Sequence, residues 1–180
     1  ATLTGLKLGM TPASGIGYRG TEMSAAVIPG PDLRLADFTR AEMSGTDLSG
    51  ASLEGNVFAR ANLDGARLRG AQLRRADFSN ARLKNADLTR AQLNGSILRD
   101  ADLRGATLTA ADFSGADLAD AQFENAVVGR IDCFDWLAGL ATPPVRIVEV
   151  ASTWRVVQDQ SDNDGTRFVI RAISPQPAPN

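Results

Sequence analysis

The sequence contains no histidine and only one cysteine, Cys133, among its 180 residues. Without histidine the chain cannot assemble a Ser-His-Asp triad, a Cys-His pair or a histidine metal site, so several large enzyme classes are excluded. A single thiol cannot form an internal disulfide, which favours a reducing cytoplasm. No apolar run is long enough to cross a bilayer, and no secretory signal is recognisable, although the start at Ala1 leaves a removed leader or a longer parent chain open. We therefore expect a non-enzymatic, cytoplasmic chain without a membrane span.

Apolar residues recur at every fifth position from Leu33 to Val128. Leu, Phe, Met or Val stands at all twenty of these positions, usually with Ala two residues earlier. A step of five advances about 140° around an α-helix and reverses the face of a flat strand each time, so neither element buries these residues on one side. The backbone must therefore turn at each five-residue unit.

Two columns of residues spaced by twenty predict that four units close one coil. Gly or Asn stands at positions 45, 65, 85, 105 and 125, and both residues tolerate the positive φ that the third position of a type II turn requires. Phe38, Phe58 and Phe78 form the second column, which predicts rings stacked about one strand spacing, ~4.8 Å, apart. Asn56 and Ser96 replace the usual Ala, and each is predicted to hydrogen-bond a neighbouring coil.

Units such as 36–40 (ADFTR), 61–65 (ANLDG) and 101–105 (ADLRG) resemble the A-(D/N)-(L/F)-x-x signature of the pentapeptide-repeat family. The resemblance implies an all-β fold, a right-handed quadrilateral parallel β-helix of about five coils with four pentapeptide sides each. It implies no single function, because scaffolds and DNA mimics share this fold.

The chain divides into four parts. Residues 1–30, which are rich in Gly, Ser, Thr and Pro, are predicted to form an N-terminal arm or cap. Residues 31–130 form the pentapeptide-repeat β-helix, residues 131–174 a C-terminal cap, and residues 175–180 a Pro-rich tail that is disordered or extended. Caps are expected because the terminal coils of a stack expose unpaired backbone groups.

The C-terminal segment is predicted to combine a short capping helix with a small β-hairpin or meander. The helix spans 131–141, contains Trp136 and stops before two consecutive prolines. Three strand-like runs follow, at 145–150, 153–158 and 167–173. The sequence SDNDG at 161–165 is a suitable hairpin connection between the last two runs.

Short motifs give little support for a cofactor. Residues 15–20 match G-x-G-x-x-G, but no βαβ unit surrounds them, so a flexible loop is favoured over a nucleotide site. Residues 162–165 resemble a calcium loop, yet Gln160 and Arg171 stand where such a loop needs acids, which favours a hairpin turn. Recurring aspartates at the second position of the units, such as Asp37 and Asp77, are interpreted as outward and solvated rather than catalytic.

Charge is unevenly distributed along the repeats. Ten basic residues stand against five acidic ones between positions 60 and 104, whereas 31–59 and 105–130 each carry an acidic excess. Six of these basic residues form what we call the basic belt: Arg67, Arg69, Arg74, Arg75, Arg82 and Lys84. The family resemblance includes quinolone-resistance proteins thought to imitate anionic duplex DNA, and such a belt would be repelled from a phosphate-binding surface. Nucleic-acid binding is also disfavoured, because the belt spreads over several sides and lacks exposed aromatics.

One side of the predicted coil alternates acids with β-branched apolar residues. Its second positions are Asp37, Val57, Asp77, Ile97 and Asp117. Val57, Ile97 and Trp136 are candidate protein contacts, although β-branched residues also suit an ordinary solvated side. We predict a non-enzymatic protein-interaction or structural scaffold module with a protein partner, or a homodimer formed through a coil end or the C-terminal segment. The alternative is a DNA-mimicking inhibitor or protector of a type II topoisomerase such as DNA gyrase.

Overall fold

The computed structural model describes residues 17–26, 33–128, 154–158 and 168–172. Throughout the first two ranges the chain winds as a quadrilateral coil of parallel bridges. The second residue of a unit pairs with the residue twenty positions later, from Gly17 with Asp37 to Thr107 with Val127. The coil of four five-residue units predicted from the sequence columns is therefore confirmed.

Each side of the coil ends in a β-turn whose first residue is the buried central residue of that unit. The N–H of Ala41, for example, donates to the carbonyl of Phe38 at 2.9 Å. The third residue of each described turn has a positive φ, between 59° and 70° at nine glycines and between 55° and 62° at twelve other residues. The predicted corner of Gly and Asn is present, and the other three corners adopt the same conformation with Arg, Asp, Ala or Leu in many places.

The interior of the coil holds the central apolar residues and the alanines. All twenty central residues from Leu33 to Val128 are at most 1% exposed. The rings of Tyr18, Phe38, Phe58 and Phe78 stack with successive centroid distances of 4.9, 5.1 and 4.8 Å and interplanar angles of 7°, 4° and 9°. The predicted phenylalanine column is confirmed, and Tyr18 extends it by one ring.

In the described coils three polar side chains are buried in this interior, namely Thr46, Asn56 and Ser96. Asn56 Oδ1 accepts a hydrogen bond from the Ala36 N–H of the neighbouring coil at 3.1 Å, as predicted. The prediction for Ser96 is wrong, because its hydroxyl donates to the Leu93 carbonyl of its own coil at 2.7 Å. A serine side chain is short enough to bond the carbonyl three residues before it.

The coil begins earlier than the sequence predicted. Within residues 17–26, Gly17 and Glu22 already pair with the residues twenty positions later, so this range belongs to the coil and not to the arm assigned to 1–30. Tyr18 and Met23 provide the reason, because they occupy core positions five residues apart as Phe and Leu do elsewhere. Gly20 is a corner residue with a φ of 59°, which corrects the interpretation of this stretch as a flexible loop.

Beyond the repeats the structure describes two antiparallel strands. Strand β1 is Trp154–Gln158 and strand β2 is Phe168–Ala172, with Trp154 opposite Ala172 and Gln158 opposite Phe168. They fall within the predicted runs at 153–158 and 167–173. The predicted helix at 131–141 with Trp136, the run at 145–150, the loop at 161–165 and the tail at 175–180 lie outside the described residues. In the described ranges no helix has the length and apolar character needed to cross a membrane.

Candidate functional site

The coil presents four flat sides, which we label by the second positions of their units. Side A carries positions 17, 37, 57, 77, 97 and 117, and side B carries 22, 42, 62, 82, 102 and 122. Side C carries 47, 67, 87, 107 and 127, and side D carries 52, 72, 92 and 112. Because each position bridges to the next one on the same side, residues twenty apart stand in register about 4.8 Å apart.

The outward aspartates hold the corners that follow them. Asp37 Oδ1 accepts hydrogen bonds from the Thr39 N–H at 2.9 Å and from the Thr39 hydroxyl at 2.6 Å. Asp77 makes the same pair of contacts with Ser79, at 2.8 and 2.6 Å. The Thr39 hydroxyl is the main reason that the pKa of Asp37 lies below its ordinary value. In both units the carboxylate accepts the hydrogen bonds that fix the following turn, as expected for aspartate at this position.

Side A brings the two apolar candidates into one line. Asp37, Val57, Asp77, Ile97 and Asp117 bridge to one another in that order. Val57 is half-buried and Ile97 is 40% exposed, and they lie two coils, roughly 10 Å, apart. The third candidate, Trp136, lies outside the described residues.

The structure distributes the basic belt over three sides. Arg67 and Arg69 lie on side C, Arg74 and Arg75 on side D, and Arg82 and Lys84 on side B. Three of the six pair with aspartates: Arg67 with Asp47 at 3.6 Å, Lys84 with Asp102 at 3.4 Å, and Arg82 with Asp64. Such exposed pairs contribute about 0–1 kcal/mol each to stability, so the belt is not explained by folding.

The remaining belt cations lie where side D meets its two corners. Arg69, Arg74 and Arg75 have no ion-pair partner among the described residues and are exposed. Arg74 acts at longer range on Asp112. Burial alone would raise the pKa of Asp112. Hydrogen bonds from Ser114 and Asn94 and the charge of Arg74 together lower it by more, so the net shift of this pKa is downward.

A second group of arginines lies at the corner between sides A and B, and the sequence analysis did not identify it. Arg19, Arg40 and Arg60 line a groove of about 500 Å³ together with Gly20, Thr39 and Ala59. The signal in the sequence was the twenty-residue spacing of Arg40 and Arg60 at a corner position. It was overlooked because the corner column considered was the one made of Gly and Asn.

Comparison with known proteins gives one family match and several structural ones. A family model described as pentapeptide repeats matches eight copies over residues 20–55, 57–95 and 86–125. The structure of HetL, a pentapeptide repeat protein involved in heterocyst differentiation regulation in the cyanobacterium Nostoc, is 24% identical over 71% of this chain and 86% of HetL, with a TM-score of 0.27. Among curated proteins there is no match.

Two further solved structures are similar. A pentapeptide repeat protein from the thylakoid lumen of Arabidopsis thaliana is 24% identical over 75% of this chain and 79% of that protein, with a TM-score of 0.26. QnrB1, a plasmid-mediated fluoroquinolone resistance protein, is 20% identical in a trypsin-treated form, over 68% of this chain and 70% of that one, with a TM-score of 0.31.

Proposed function

Because this chain belongs to the pentapeptide-repeat family, we propose that it is a non-enzymatic protein-interaction or structural scaffold module built on a rigid rod. The observation that carries the proposal is the unbroken line of bridges along side A, which fixes Val57 and Ile97 at a set spacing between aspartates. A surface held in place by backbone pairing loses little entropy when a partner docks, so few contacts suffice for binding.

The residues of side A indicate the kind of partner. Val57 and Ile97 offer β-branched apolar surface, and the flanking Asp77 is half-buried and bonded to its own corner. Asp117 at the end of the line pairs with Arg99 at 2.5 Å. Apolar side chains that alternate with carboxylates suit a partner segment in which apolar side chains alternate with basic or hydrogen-bond-donating ones.

A paired set of variants tests this surface. The full chain is immobilised and exposed to a lysate of its source cells, and captured proteins are quantified by mass spectrometry. Val57→Lys with Ile97→Lys is expected to reduce capture of the specific partner roughly tenfold or more, because central apolar contacts dominate such interfaces. Gln72→Lys with Gln92→Lys makes the equivalent change on side D and is expected to leave capture unchanged. Equal capture by both variants would contradict the assignment of side A.

The alternative function is inhibition or protection of a type II topoisomerase by DNA mimicry. A mimic must present anionic surface to a site built for phosphates. Arg69, Arg74 and Arg75 oppose this, because no carboxylate among the described residues pairs with them. We therefore rank mimicry second.

A further inference from the structure

The corner between sides A and B holds a basic groove that the scaffold proposal does not explain. Arg19, Arg40 and Arg60 come from three successive coils and line a groove of about 500 Å³. The remaining lining residues are the small Gly20, Thr39 and Ala59, which leave the space between the arginine side chains open. The groove therefore combines a concave shape with a strong positive charge.

Most of this charge is not neutralised by the rod itself. Asp37 pairs with Arg19 at 2.6 Å, whereas Arg40 and Arg60 have no ion-pair partner in the described ranges. In the coil of Arg60, Val57 stands where the neighbouring coils of side A have aspartate, so no carboxylate precedes this arginine on its own side. Across the corner on side B, Glu42 accepts a hydrogen bond from Asn62 Nδ2 at 2.8 Å.

The backbone at these positions indicates that the arginines are not required by the fold. Arg40 has a φ of 59° and Arg60 a φ of 60°, a left-handed conformation that glycine adopts more readily than arginine does. Gly20 occupies the same corner one coil earlier, with a φ of 59°. Glycine therefore suits this corner, and the backbone conformation does not itself call for arginine there.

We propose that this groove binds the phosphate group of a phosphorylated side chain in a partner protein, a proposal that rests on the scaffold function and names its ligand. Guanidinium groups bind phosphate oxygens in a bidentate manner, and coils about 4.8 Å apart place several guanidiniums within reach of one phosphate. A side chain docked there would bring the adjoining partner segment onto side A, beside Val57.

The charge along the same corner favours a compact phosphate over a nucleic-acid strand. After Arg40 and Arg60 the corner continues with Asn80, Asp100 and Asp120. A phosphodiester backbone that followed the corner would meet these aspartates after three coils and be repelled. Sequence-independent binding of a strand would also use exposed aromatics for base stacking, and the ring of Tyr18, one residue before Arg19, is stacked on Phe38.

The test measures binding of a short fluorescein-labelled peptide that carries one phosphoserine, by fluorescence anisotropy with the full chain. Arg40→Gly with Arg60→Gly removes two charges and suits the positive φ, so the variant is expected to fold. Its affinity for the phosphopeptide is expected to fall roughly tenfold or more, because two charge-assisted hydrogen-bonding groups are lost. Arg75→Gly with Arg90→Gly, at corners with φ of 56° and 58°, removes the same net charge elsewhere and is expected to change affinity less than about twofold.

Further arms distinguish the sources of phosphate. Inorganic phosphate is expected to compete with the peptide, and the unphosphorylated peptide is expected not to bind. The proposal is overturned if the phosphopeptide does not bind at millimolar protein, if both double variants lose affinity equally, or if duplex DNA binds better than the phosphopeptide and loses binding in the same variant. Partner capture through Val57 and Ile97 is a separate readout. If the chain binds the phosphopeptide but captures no partner, or if Val57→Lys with Ile97→Lys leaves capture unchanged, the result counts against the scaffold surface alone.

Discussion

Glycine at a corner of the coil adopts a positive φ easily and also leaves space for neighbouring side chains. Gly65 and Gly105 show these two effects separately. Both lie at the corner that follows side B, with φ of 67° and 70°. A Cβ added at Gly65 meets nothing within 4 Å, whereas one at Gly105 would lie 2.3 Å from Asn85 Oδ1 of the preceding coil. At Gly65 only the backbone conformation favours glycine, whereas at Gly105 the missing Cβ also leaves space for the Asn85 side chain.

We expect Gly65→Ala to lower the free energy of unfolding by about 1 kcal/mol, the cost of a left-handed non-glycine residue. Gly105→Ala is expected to cost more, because the Asn85 side chain must also move. Adding Asn85→Gly to Gly105→Ala should restore the smaller cost, since the obstructing amide is removed. Urea unfolding followed by circular dichroism measures all three, and equal losses for the two single variants would contradict the steric role of Asn85.

Single residues also explain where the sequence could not predict the structure. The positive φ of Leu35, Arg40 and Ala110 could not be predicted from residue type, because Gly, Asn and Asp are the residues with a recognisable preference for it. Their conformation is imposed by the bridges on both sides of each corner. The hydrogen-bond partner of Ser96 could not be predicted from the sequence either, since a buried hydroxyl can bond its own turn or the next coil with similar geometry.

At the scale of the coil, the stack of aromatic rings is the element that the sequence predicted best. Its spacing of twenty follows from four turns of five residues, and the centroid distances of 4.9, 5.1 and 4.8 Å match one strand spacing. The start of the coil was predicted less well, because Tyr18 and Met23 continue the five-residue period without the alanines that mark it elsewhere. The arginine groove depends on which residues share a corner, so it becomes visible only once the register is known.

The stack permits a prediction about what stabilises a coil. Phe78 is fully buried, and its ring centroid lies 4.8 Å from that of Phe58. Phe78→Ala is therefore expected to lower the free energy of unfolding by about 3–5 kcal/mol, because it leaves a cavity. Asp77→Asn, one residue earlier on the outside of side A, retains the shape of a side chain that bonds Ser79 and is expected to cost about 1 kcal/mol or less. Thermal and urea unfolding compare the two variants. Similar small losses would contradict the inward placement of Phe78.

At the scale of the whole molecule, charge discriminates between the two candidate functions. In the described coils some cations pair with carboxylates and others do not. Arg82 pairs with Asp64, and Lys84 and Arg104 share Asp102. Burial acts to raise the pKa of Asp102, but the hydrogen bonds and charge of Arg104 and the hydrogen bond of Lys84 together outweigh it, so the pKa is lowered. Side B is thus close to neutral through the centre of the rod. Around side D and its corners, in contrast, Arg69, Arg74 and Arg75 stay available to solvent.

Because of these unpaired cations, one assay, the inhibition of DNA gyrase supercoiling, distinguishes the two candidate functions. A DNA mimic would have to dock in a groove that holds phosphates, and exposed arginines in its central coils would be repelled there. We therefore expect the purified chain not to inhibit DNA gyrase supercoiling at micromolar concentration. Reversing the charge with Arg69→Glu, Arg74→Glu and Arg75→Glu removes that repulsion and would strengthen inhibition only if the rod is a mimic. Inhibition by the unmodified chain that increases in this variant would place topoisomerase mimicry first, whereas a scaffold leaves supercoiling unchanged in both.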